Sequence, residues 1–335
     1  MSMVNYNKNV KSLGDVTPKF IAGLMSSLNS KPPSARNSLY PERVLSQILR
    51  SQNVRTPKTW HKIVIGDSRH MTEIESNSVH LIVTSPPYPM IEMWDDLFRK
   101  LGCKTFDEMH NYLAEIWTEC KRVLVEGGIA CINIGDALRK VNGVFRLFPN
   151  HAKIVQKFEE LGFVTLPYIL WKKPTTKPNS FLGSGFLPTN AYVTLDCEYI
   201  LIFRKGDLRR FNRKDPYRYA SYYTKEERDV WFSQIWDIKG IKQESSELER
   251  RVAAYPEEVP YRLIRMFSII GDTVLDPFLG TGTTTKVAMN LYRNSVGYEI
   301  DEKMLSLIKE KISYQQRLLE PHNFEIQIIE KKSMF

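Results

Sequence analysis

The sequence predicts an α/β fold: a mostly parallel sheet covered by helices on both faces. Three observations lead there. From residue 62 onward, short runs rich in Val and Ile alternate with longer stretches of helical periodicity. The short runs are apolar nearly throughout, as strands buried on both faces must be. The chain has 335 residues, 42% hydrophobic and 25% charged, enough apolar material for one large domain or two modest ones.

Residues 1–61 are polar and broken by Pro18, Pro32, Pro33, Pro41 and Pro57. They read as an N-terminal extension, with a short amphipathic helix over 42–49. Strands follow at 62–65 and 79–84, closed by Gly66-Asp67 and Ser85-Pro86. Phe106, Met109, Leu113, Ile116, Cys120 and Val123 recur at steps of three and four, which predicts a helix over 106–124. Gly127-Gly128 reads as its end and 129–134 as the next strand. A helix over 150–161 and a strand pair at 168–171 and 198–203 come next. The intervening 172–197 is a long loop rich in Pro, Gly, Ser and Thr, of the kind that carries function. Residues 204–251 hold thirteen Lys/Arg and eight aromatic residues without strand–helix alternation, which marks them as a separate region. Order returns with a helix over 256–270, a strand at 273–276, a helix over 281–291, a strand at 295–299 and a helix over 302–319. The chain thus divides at 1–61, 62–203, 204–251 and 252–335.

Composition narrows the function. No apolar run approaches the ~20 residues that span a bilayer, and the N-terminus has no apolar stretch of a secretory signal. Cys103, Cys120, Cys131 and Cys197 form no CxxC pair. This speaks against a zinc site or a disulfide framework and fits a reducing cytosol. A net charge of +9 favours a polyanionic partner.

Two elements carry chemistry. The first runs from Thr273 through Asp276, Pro277, Phe278, Leu279, Gly280, Thr281 and Gly282 to Thr283 and Thr284. A buried strand ends in a carboxylate, turns on glycines and enters a helix. Glycines let backbone approach a ligand closely, and a helix N-terminus with threonine hydroxyls holds a carboxylate. The next strand ends at Glu299, whose carboxylate suits the hydroxyls of a ribose. No GxxxxGK[ST] is present, so this is not a phosphate loop. The second element is Ser85-Pro86-Pro87-Tyr88. Two prolines stiffen the backbone and remove donors, which leaves carbonyl acceptors, a hydroxyl and an aromatic face for a planar base. Taken singly, either element is also met as a plain tight turn or a stiff loop over a buried tyrosine.

Together the two elements resemble the DNA amino-methyltransferases that use S-adenosylmethionine, in the order of their permuted beta class. The SPPY tetrad resembles members acting on N4 of cytosine; adenine-N6 members usually carry Asp or Asn in place of Ser85. Further blocks match. Gly66-Asp67-Ser68 resembles the segment reaching the cofactor adenine. Trp171-Lys172-Lys173-Pro174 and the block from Glu198 to Phe203 resemble paired late strands. Tyr255-Pro256-Glu257 with Pro260 resembles the segment packed on the methionine end of the cofactor. The resemblance covers 62–203 and 252–301. It implies a Rossmann-like class I methyltransferase fold of seven strands, with Asp67, Tyr255, Pro256, Asp276, Pro277, Phe278, Gly280, Gly282, Thr283, Thr284 and Glu299 toward S-adenosylmethionine. It implies Ser85, Pro86, Pro87 and Tyr88 at a cytosine extruded from duplex DNA.

The basic, aromatic stretch 204–251 is the candidate for target recognition, with Arg209, Arg210, Arg213, Lys214 and Arg218 suited to phosphates or guanine edges. Lys172 and Lys173 extend that set. Double-stranded DNA is the expected partner, with a cognate restriction endonuclease as functional companion and a monomeric or homodimeric enzyme. Adenine-N6 transfer and a non-catalytic recognition subunit remain alternatives. Transfer to carbon 5 needs a cysteine after a proline, and none of the four has one.

Overall fold

The computed structural model describes residues 55, 57–173, 188–189, 192–212, 215–240, 255–315 and 324–331. The helix expected at 42–49, most of the 172–197 loop, and Arg213 and Lys214 fall outside them.

Among these residues the core is a nine-stranded sheet. Its strands are β1 (Thr59–Ile65), β2 (Val79–Thr84), β3 (Leu124–Ile134), β6 (Phe163–Lys172), β7 (Cys197–Lys205), β8 (Ile235–Asp237), β9 (Thr273–Asp276), β10 (Asn294–Glu299) and β11 (Phe324–Glu330). A separate hairpin pairs β4 (Ala137–Val141) with β5 (Val144–Phe148). The sheet order is β11-β1-β10-β9-β2-β3-β7-β6-β8. Strands β11 through β3 in that order run parallel. β7 is antiparallel to both neighbours, and β8 runs parallel to β6.

The parallel strands must be covered twice because both their faces are apolar. In β2, Leu81 and Val83 enter one core while Ile82 enters the other. Helix α2 (Phe106–Val123) and helix α3 (Asn150–Glu160) cover the Ile82 side. The step-of-three-and-four stripe buries Met109, Leu113, Ile116, Trp117 and Cys120. A reciprocal Thr105–Glu108 capping box starts α2. Helices α6 (Glu258–Phe267) and α7 (Thr283–Asn290) cover the opposite side.

The sheet differs from the expected seven strands by two edge strands. β8 is three residues long with only Trp236 buried; β11 is an edge strand with alternating burial. The glycine pair at 127–128 does not end a helix: α2 stops at Val123 and β3 already runs through both glycines. The helix expected over 302–319 is interrupted: a 3₁₀ turn, Glu302–Met304, is followed by α8 (Leu305–Lys311), and 314–315 are helical again, with 316–319 outside the described residues. Ser313 at φ 54 turns the chain away.

Within 204–251, the described residues form no separate lobe. Helices α4 (Pro216–Ala220) and α5 (Lys225–Trp231) pack on α6, and Trp231 and Trp236 are buried in the same core. Arg265 of α6 reaches Glu227 at 3.4 Å and the Tyr222 carbonyl at 2.7 Å. Tyr217, Tyr219, Tyr222 and Tyr223 pack half-buried against this core, and Phe232 is exposed.

Candidate functional site

The parallel strands place their carboxyl ends on one edge, where ligands of open α/β sheets bind. Thr84, Asn133, Asp276 and Glu299 all belong to that edge, and Glu198 opens β7 beside it. A cleft of ≈ 630 Å³, its open mouth included, lies there. Ser85, Pro86, Pro87 and Tyr88 form one wall; Phe278, Gly280, Thr281, Thr283 and Glu299 form the other.

Asp276 joins the two walls. It is 3% exposed, and burial pushes its carboxyl above the usual range while its donors pull the other way. Oδ1 accepts from Thr84 Oγ1 at 2.6 Å and from the Phe278 N–H at 3.1 Å. Oδ2 accepts from Thr284 Oγ1 at 2.6 Å and from the Tyr255 hydroxyl at 3.4 Å. Protein donors engage both oxygens, so Asp276 shapes the cleft through the turns it holds. Thr284 and Tyr255 act in the same buried cluster. Pro277 is buried next to it, and Pro256 accepts from the Val259 N–H at the start of α6; neither lines the cleft. Gly282 caps α7 in the left-handed conformation. Asp67 is not among the residues lining the cleft; its oxygens accept from Arg69 N and Nε at 2.8 and 2.7 Å.

The opposite wall is a hydrogen-bonded network. Tyr88 donates its hydroxyl proton to Glu198 Oε2 at 3.0 Å. Asn133 Nδ2 donates to the Tyr88 oxygen and to Glu198 Oε2, both at 2.8 Å. Only the NH₂ side of an amide can face a carboxylate, which fixes this orientation. Ser85 Oγ is 3.1 Å from the Tyr88 oxygen. The phenol has one proton and has given it to Glu198, so Ser85 must donate here. Asn133 Nδ2 also lies 3.5 Å from Ser85 Oγ, which leaves Ser85 one lone pair as an acceptor at the cleft. Burial, then the Glu198 charge, push the Tyr88 phenol well above its ordinary value, so it stays neutral. Lys173 is ion-paired with Glu198 from the next strand. Gly135 allows this packing: a Cβ there would meet the Tyr88 ring at 3.0 Å.

Sequence reasoning missed Asn133 and Glu198. The signal was present: Asn133 is the one polar side chain within 129–134, and Glu198 stands at the head of an otherwise apolar run. Trp94 and Leu97, which complete the mouth, gave no signal.

The sequence profile of the DNA methylase family, which covers N6 and N4 methyltransferases, matches residues 79–310. The chain belongs to this family. It is 64% identical over 282 residues to the type II methyltransferase M.MjaI of Methanocaldococcus jannaschii, covering 77% of this chain and 93% of that one. It is 46% identical over 279 residues to M.MthZI of Methanothermobacter thermautotrophicus, covering 78% and 79%. A solved methylase of Thermus thermophilus, described as a putative DNA modification methylase complexed with S-adenosyl-L-methionine, superposes with a TM-score of 0.62 at 32% identity. It covers 80% of this chain and 99% of that one.

This methylase therefore has the class I methyltransferase fold and uses S-adenosylmethionine. The residues fit that cofactor. Glu299 ends β10 with Oε2 on the Gly280 N–H at 2.8 Å and Oε1 on the Asp301 N–H at 2.9 Å. Each oxygen retains a lone pair for a ribose hydroxyl. Thr283, at the start of α7, lines the same cleft, and a helix N-terminus there would suit the carboxylate of that cofactor.

Burial pushes the Glu299 carboxyl up to about 7. The ionised form is the better acceptor for two hydroxyls, so cofactor affinity is expected to fall as pH drops through that value. Titration calorimetry from pH 8.5 to pH 6 should show it, at most about tenfold per pH unit below the pKa. Glu299→Gln should bind more weakly and without this pH dependence. A wild-type affinity flat across the range would remove Glu299 from the site.

The candidate DNA-binding residues divide by place. Lys172 and Lys173 are at the catalytic edge, with Lys173 committed to Glu198. Arg209 is engaged within the chain. It holds Asp272 through two bonds of 2.6 and 2.7 Å and lies over the Phe211 ring. Asp272 precedes β9, on the edge opposite the cleft. Arg210 is exposed on that far side, and Arg218 lies over the same Phe211 ring at 4.3 Å.

Proposed function

We propose that this methylase transfers a methyl group to the N4 amino nitrogen of a cytosine held out of duplex DNA, in a restriction–modification setting. The observation that carries the reading is Ser85, fixed as a hydrogen-bond acceptor at the cleft by the proton count of its network. The names of its type II relatives support the setting.

The amino nitrogen of cytosine is a poor nucleophile because its lone pair is delocalised into the ring. S-adenosylmethionine supplies an electrophilic methyl group on a sulfonium. Ser85 Oγ and the Pro86 carbonyl accept the amino hydrogens and turn the lone pair out of conjugation. The Tyr88–Asn133–Glu198 network holds Ser85 in that state, and the neutral Tyr88 ring offers its face to the base. This is positioning and electrostatic preorganisation without a covalent intermediate. The methyl–sulfur bond breaks as the nitrogen–carbon bond forms, a neutral thioether leaves, and the surplus amino proton passes by way of Ser85 to water.

Nucleoside mass spectrometry of unmodified DNA after incubation with enzyme and cofactor tests the target. N4-methyldeoxycytidine is expected. N6-methyldeoxyadenosine in its place would overturn the cytosine assignment.

A further inference from the structure

The β4–β5 hairpin is unassigned by anything above. It leaves the sheet directly after Asn133 and Gly135 of the catalytic wall. Asn142 and Gly143 make its two-residue turn, both with positive φ (51 and 82), as a type I′ hairpin requires. Its base is pinned. Ala137 and Phe148 pair across it and are buried. Arg139 grips Asp95 through two bonds of 2.7 and 2.6 Å, and Asp95 opens α1 (Asp95–Lys100) just after Trp94 of the cleft mouth.

Among the described residues, its outer part is held by ring contacts alone: Phe145 meets Tyr192 at 5.1 Å, and Arg146 lies over the Phe148 ring at 4.6 Å. Residues 137–148 carry three cationic side chains and no acidic one. Arg139 and Arg146 are directly opposite across the strands. Facing like charges are unfavourable, and Asp95 neutralises one of them. Arg146 and Lys140 are exposed and in no ion pair among the described residues. Val144 is 61% exposed at the turn. A two-stranded ribbon of five residues a side reaches roughly 17 Å and fits the major groove of DNA.

We propose that this hairpin enters the major groove of duplex DNA beside the extruded base, with Lys140 and Arg146 on backbone phosphates and Val144 leading. The proposal rests on the DNA methyltransferase reading and adds the element that grips the duplex. It moves the grip from the far-edge arginines to the catalytic edge.

The test uses the full chain carrying Lys140→Ala with Arg146→Ala and, separately, Val144→Asp. Fluorescence anisotropy follows binding to a mixed-sequence 30-base-pair duplex across a salt series. Tritiated methyl incorporation into unmodified phage DNA gives kcat and KM. The double variant should bind the duplex about tenfold more weakly, with the slope of log K against log salt reduced by about 2. Val144→Asp should raise KM for DNA several-fold. Calorimetric affinity for S-adenosylmethionine should not change in either, which shows an intact fold. Active wild-type enzyme with an unchanged salt slope and KM in these variants would overturn the hairpin proposal alone. No incorporation by wild-type enzyme would overturn the methyltransferase reading and the hairpin with it.

Discussion

Ser85→Ala is expected to lower kcat for methyl transfer by about 10²–10³-fold while S-adenosylmethionine affinity stays within about twofold. The serine contributes a lone pair aimed at the amino hydrogens, and alanine has none. The loss falls on kcat because the acceptor matters most as the nitrogen lone pair is freed. The residues that would hold the cofactor, Glu299 and the turn after β9, line the opposite wall, so binding should be spared. The network sharpens the expectation. Glu198→Gln turns a carboxylate that accepts from Tyr88 and Asn133 into an amide that also donates, so the proton count at Ser85 is no longer fixed. It should lose activity in the same direction by a smaller factor. Single-turnover kinetics at saturating cofactor measure both. Undiminished turnover in Ser85→Ala would end its role as the acceptor.

Asp276→Ala is expected to cost about 2–4 kcal/mol of stability, since it strips the acceptor from buried donors at Thr84, Thr284 and the Phe278 backbone. A chain of this size should then lose roughly 3–6 °C in Tm. Cofactor binding should fall with it, because the Phe278 turn and the first turn of α7 are set by the same carboxylate. Differential scanning fluorimetry and calorimetry separate the two effects. A Tm equal to wild type would show that the four hydrogen bonds contribute nothing to the fold.

The elements that position the site were legible because they are buried on both sides or amphipathic. The runs at 79–84 and 273–276 admit no other reading, and the α2 stripe follows its period through five steps. The site was legible where residue type and placement agree, as in the serine–proline tetrad and the carboxylate ending β10. Partnership was not legible. Nothing local to Arg209 announces Asp272, and nothing local to Asp67 announces that Arg69 will claim both its oxygens. In the basic, aromatic stretch, composition alone does not separate core residues from surface ones: Trp231 and Trp236 are buried, while Phe232 stays exposed. Asn133 and Glu198 acquire meaning only when β3 and β7 pair and bring them to Tyr88.

The adjacency of β2 and β9 has a consequence for biosynthesis. Thr84 and Asp276 touch across 192 residues of chain, and β1 likewise waits for β10. As the polypeptide leaves the ribosome, the amino-terminal half presents apolar strands with open edges that only the carboxyl-terminal half can close. Until then those edges are exposed to pairing with other chains. Maturation of this enzyme is therefore bound to the completion of translation, and nascent chains are where chaperone protection matters most.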